Sequence, residues 1–126
     1  MTPLEAQMQV ICARYAGATL QVFNGTGLVS VPGIQLPAGG WNRDSTSVTF
    51  VTPAGYPLAA PDCFWADREL RLRNGSVPQN CNVENQVPGL GQPRLWFSWH
   101  VKIWNPSRDT LLTYLGVIKA RLEDVR

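Results

Sequence analysis

A chain of 126 residues has room for one domain, with a single core and a site on its edge. Its net charge of +2 comes from eleven scattered lysines and arginines, with no run longer than Arg71-Leu72-Arg73, and gives no case for a nucleic-acid partner. A charged fraction of 16%, against roughly a quarter in typical domains, points to a surface partly covered by another protein. No apolar stretch approaches the ~18 residues of a membrane span, and the first residues lack a signal-peptide pattern, so the expected compartment is the cytosol, with no membrane contact.

Residues 2–15 read as a helix. Thr2 suits the cap, Pro3 the first helical position and Glu5 the return bond of a capping box. Leu4, Met8, Ile11 and Tyr15 form one apolar stripe, and Gly17 is a natural stop. Strand patterns follow over 18–23, over 28–36 with an interruption at Pro32-Gly33, over 46–51 and over 63–66. Asn24-Gly25-Thr26-Gly27 reads as the first turn, and the close spacing of turns favours an antiparallel meander. Pro57 and Pro61 cannot donate to a ladder, which places their segment along an edge.

Residues 73–95, rich in Asn, Gly and Pro, read as one long polar loop. It runs into Trp96-Phe97-Ser98-Trp99-His100-Val101-Lys102-Ile103-Trp104-Asn105-Pro106, which holds three of the five tryptophans and the only histidine. Beyond it Leu111, Leu115, Ile118 and Leu122 mark an amphipathic helix, for which Asn105 is the expected cap and Pro106 a residue of the first turn. The order is helix, meander, long loop, helix: a single α+β domain over 1–126.

Three cysteines, at 12, 63 and 81, are an odd number without CxxC spacing, which argues against a disulfide framework and against zinc. Cys12 and Cys63 read as small packing residues, whereas Cys81, in the polar loop, is the thiol expected to meet solvent. Ser98 and His100 have like parity on an extended chain, so both side chains can share a face. A straight strand separates such a pair by roughly 6–7 Å, so direct contact needs a bend. Asp62 and Asp109 are the candidates for an acid that would orient the imidazole.

Taken together, Gly55-Tyr56-Pro57, Pro61-Asp62, Phe64-Trp65, Ser98-x-His100 and Trp104-x-Pro106 followed by Asp109-x-Leu111 resemble the ubiquitin-conjugating enzyme superfamily. They are most similar to a bacterial branch encoded beside ubiquitin-like proteins, activating enzymes and deubiquitinase-like peptidases. The resemblance implies a UBC-like fold with a four-stranded meander and a long active-site loop. It also implies a ubiquitin-like protein and an activating enzyme as partners, a peptidase of that kind as a third, no cofactor and no metal, and a setting in phage defence.

Conjugating enzymes carry a nucleophilic cysteine a few residues before the Trp-x-Pro, and this chain has none there. Ser98 is then the expected acyl carrier, through an oxyester, with His100 as base or orienting partner. Asn80, in Pro78-Gln79-Asn80, is a loose counterpart of the family's oxyanion asparagine. Cys81 is the rival nucleophile if the loop folds back beside His100. The alternatives are a catalytically inactive domain that binds the same partners through its Trp-rich surface, and an unrelated hydrolase, which the absence of a G-x-S-x-G elbow disfavours.

Overall fold

A computed structural model describes residues 1–126. Helix α1 spans Pro3–Arg14 and starts as its sequence dictates: the Thr2 hydroxyl accepts the Glu5 N–H at 3.1 Å and donates to the Glu5 carboxylate at 3.0 Å. Six strands follow, β1 Thr19–Phe23, β2 Thr26–Gln35, β3 Ser45–Thr52, β4 Phe64–Ala66, β5 Cys81–Asn82 and β6 Leu95–Phe97. Helix α2, Leu111–Glu123, closes the fold. All neighbouring strands are antiparallel, in the order β1-β2-β3-β4-β6-β5.

The first four strands lie where alternation and turn residues placed them. The register of β2 on β3 shifts between Val31 and Ile34, where Pro32 lacks a donor and Gly33 takes a φ of 72°. The count of four strands is corrected to six. The supposed polar loop turns back on itself: Cys81–Asn82 pairs with Leu95–Phe97, which pairs in turn with β4. Segments of two and three residues are too short for a hydrophobic period to show, so only tertiary pairing reveals them.

One face of the sheet carries Val29, Val31, Val48, Phe50, Phe64, Ala66, Leu95 and Phe97, all buried beneath the two helices. Met8 and Ile11 come from α1, and Leu111, Tyr114, Leu115, Ile118 and Leu122 from α2. The other face presents Leu28, Val51, Trp65 and Trp96, over which the 83–92 segment folds Val87 and Leu90. No helix is long and apolar enough to cross a membrane.

The start of α2 differs from expectation. Asn105 heads a separate turn in which its carbonyl accepts the N–H groups of Arg108 and Asp109. The Asp109 carboxylate in turn accepts the Asn105 N–H at 2.7 Å. Helical bonding begins only after Thr110, whose N–H donates to the Thr113 hydroxyl at 3.1 Å. Pro106 lies in that turn and does not open the helix. The Gln7 side-chain oxygen caps α2 from another element by accepting the Leu111 N–H at 2.9 Å, and it also takes the Tyr56 hydroxyl. Gln7→Met leaves both donors without that partner, so a loss of about 1–3 kcal/mol in urea unfolding is expected.

Candidate functional site

The site forms where β4 and β6 run out toward the second half of the chain. Phe64 opposes Phe97 with rings stacked at 4.5 Å, which fixes the two strands together. One step further the ladder slips: the Cys63 N–H donates to the Trp99 carbonyl at 2.9 Å, so an extra residue sits on the β6 side, as in a β-bulge. Cys63 adopts a φ of 60°, and its carbonyl accepts the Tyr114 hydroxyl at 2.7 Å. This irregularity brings Asp62 beside His100.

The Asp62 carboxylate lies 2.5 Å from His100 Nδ1. Both side chains are about two-thirds exposed, at 64% and 65%, so the pair adds little stability and its consequence is orientation. With Nδ1 engaged, Nε2 is the nitrogen left to handle a proton. Of the two acids considered as orienting partners, Asp62 reaches the ring. Asp109 is 93% buried (7% exposed) and committed to the Asn105 N–H.

Ser98 is half-buried, and its N–H donates to the Asn80 carbonyl at 2.8 Å. That bond continues the β5–β6 pairing, so residue 80 lies opposite Ser98 even though it is eighteen positions earlier (98 minus 80). Asn80 turns the chain there with a φ of 60°, a conformation asparagine tolerates. Ser98, His100, Asn80 and Lys102 line one cleft of about 350 Å³, with Trp99 as its apolar wall. The imidazole is bonded to Asp62 and not to the Ser98 hydroxyl. A second groove of about 280 Å³ adjoins the cleft through Trp99, His100 and Lys102 and is backed by Val117 and Ala120 of α2. A larger hollow of about 460 Å³, rimmed by Arg68, Gln92 and Arg94, contains none of these groups.

The loop does fold back, as the Cys81 alternative requires. Cys81 pairs with Phe97, so its side chain follows Phe97 to the core face, and its thiol donates to the Gln79 carbonyl at 3.3 Å. Burial pushes its pKa up to about 11 despite the opposing Arg121 guanidinium. At pH 8 such a thiol is ionised to only about one part in a thousand. Cys12 is exposed on α1, not packed as expected, while Cys63 is buried. Burial raises the Cys63 pKa, the Trp99 backbone opposes that and the Asp62 charge adds to it.

Lys102 and Cys63 are the members of this cluster that the residue pattern did not single out. Lys102 had a signal, since it shares parity with Ser98 and His100. Cys63 had none, because nothing local marks a ladder slip against Trp99, thirty-six positions later (99 minus 63).

Trp104 packs its ring at 6.0 Å from that of Tyr56, and its indole N–H donates to the Pro57 carbonyl at 2.8 Å. The Tyr-Pro and Trp-x-Pro landmarks therefore meet, and they brace the segment that carries His100. Comparison with curated proteins and with solved structures returns no match. The family model described as prokaryotic E2 family E matches residues 18–125, everything but α1 and its exit turn, and the chain belongs to that family.

Proposed function

We propose that the protein is a conjugating enzyme that accepts a ubiquitin-like protein from an activating enzyme and holds it as an oxyester on Ser98. Membership of the E2 family implies partners of both kinds. The observation that carries the residue assignment is the Asp62–His100 pair at the mouth of the cleft that Ser98 lines. The Ser98 hydroxyl attacks the carbonyl of the activated C-terminus, a thioester on the activating enzyme. Its proton passes to His100 Nε2, the C–O bond forms, and the C–S bond breaks with the thiol as leaving group. In the second step an acceptor amine attacks the ester carbonyl and gives a proton to His100, which passes it to the serine oxygen as the C–O bond breaks and the amide forms. The Asn80 amide and the Lys102 ammonium are the cleft's donors for the oxyanion.

Incubation with activating enzyme, ubiquitin-like protein and ATP, followed by denaturing mass spectrometry, tests the reading. An adduct released by hydroxylamine and mapped to Ser98 supports it; an adduct mapped to Cys81 transfers the role to that thiol. His100→Gln is expected to slow adduct formation about 10²- to 10⁴-fold without changing the fold, because the ring is exposed. A His100→Gln rate equal to wild type would remove the histidine from the mechanism.

A second reading, a silent docking domain for the same partners, rests on Leu58 and Ile103. These side chains are 81% and 79% exposed and flank the Pro57–Trp104 contact. Partner binding without any adduct in the wild type is its signature.

A further inference from the structure

We propose that Asp62, Cys63 and His100 form a site for one divalent transition-metal cation of the Zn²⁺ type. A carboxylate oxygen, the Cys63 sulfur and an imidazole nitrogen lie within 4.8 Å of one another, although sequence spacing gave no sign that a thiol and the one histidine would converge. The donor set decides the ion. Thiolate and imidazole favour Zn²⁺ and Co²⁺, whereas Mg²⁺ and Ca²⁺ prefer oxygen alone. Three protein ligands leave the fourth tetrahedral position to water.

The backbone supplies an independent observation. Cys63 holds a φ of 60°, whereas the other non-glycine residues with positive φ, Asn24 and Asn80, are asparagines that tolerate it. Such strain costs about 1–3 kcal/mol and persists only where the surroundings enforce it. Here they do. The Cys63 N–H is held by Trp99 and its carbonyl by Tyr114, at 2.9 and 2.7 Å. The result is a Cys63 backbone held in place, with a buried thiol near an exposed carboxylate and imidazole.

Tetrahedral ligation sets nitrogen and oxygen about 3.3 Å apart. The Asp62–His100 pair, at 2.5 Å, must therefore open slightly, which two exposed side chains do at little cost. The cation takes the place of the shared proton and of the thiol proton, and both are released to solvent. With Nδ1 on the cation, Nε2 carries the ring's proton, so an occupied site would also deprive Ser98 of its base. That consequence rests on the reading above, whereas cation uptake does not.

The test uses the full chain on a Cys12→Ser background, which removes the exposed thiol. After chelator treatment the protein is titrated with Co²⁺ and followed by its thiolate-to-cobalt charge-transfer band. One cobalt per chain, displaced by Zn²⁺, is expected, with the band lost in Cys63→Ser and the affinity reduced about tenfold or more in Asp62→Asn and His100→Gln. Absence of the band, or a band of undiminished affinity in Cys63→Ser or His100→Gln, overturns the site. His100→Gln keeps the test sound if Cys63→Ser fails to fold. Adduct formation at Ser98, assayed separately on metal-stripped protein with Mg²⁺ supplied for the ATP, reports on the acyl-transfer reading alone.

Discussion

Ser98→Ala is expected to abolish the hydroxylamine-sensitive adduct, a fall of about 10⁴-fold or more, while leaving secondary structure and the denaturation midpoint within about 0.5 kcal/mol of wild type. The side chain is half-buried on a short strand's exit, and the bond that holds its position is made by its backbone N–H. Removing one oxygen therefore subtracts the nucleophile and little else. Ser98→Cys sharpens the test. A thiol in the same place should carry the same partner as a thioester, sensitive to reducing agent, because acceptor position and base are unchanged. The measurement is intact mass after a timed reaction. An adduct of normal yield in Ser98→Ala would remove this serine from the chemistry and leave the cleft as a docking feature.

Phe97→Ala is expected to be the most damaging single change to the fold, at about 3–5 kcal/mol in chemical denaturation. Phe97 is fully buried, stacks on Phe64 at 4.5 Å, and also lies 5.1 Å from the Arg121 guanidinium. Truncation opens a cavity between β4 and β6 and strips one aromatic face from a buried cation. The damage should extend to function, since β4 leads out of Asp62 and Cys63 and β6 leads into Ser98. Loss of stability without loss of adduct formation at low temperature would show that the cleft does not depend on this stack.

Much of this arrangement was legible before any coordinates. The Thr2–Pro3–Glu5 start of α1, the interruption at Pro32-Gly33 and the Leu111–Leu122 stripe each follow from local chemistry: a cap, a missing donor and a 3.6-residue period. The same holds for the order of the landmarks around Tyr56 and Trp104, although the packing of their rings is a finding of the structure alone. Asn105 shows where local reading stops. It is a good cap in isolation, but its bonds to Asp109 close a tighter turn, and the helix takes its cap contacts from Thr113 and Gln7 instead.

The chemistry-bearing cluster itself divides along that line. Sequence alone determined that a serine and the only histidine stand two residues apart beside tryptophans, and that no cysteine occupies the usual stretch before Trp104. It also determined that helices and an antiparallel sheet would share one core. Only the tertiary structure decided that Asp62 orients the ring, that Asn80 faces Ser98, that Cys81 turns toward the core, and that Cys63 lies near the imidazole. The reason is physical. Period and propensity are properties of neighbours along the chain, whereas the pairing along β4, β5 and β6 and their exits joins residues up to thirty-six positions apart (99 minus 63) and depends on a one-residue slip that no local pattern encodes.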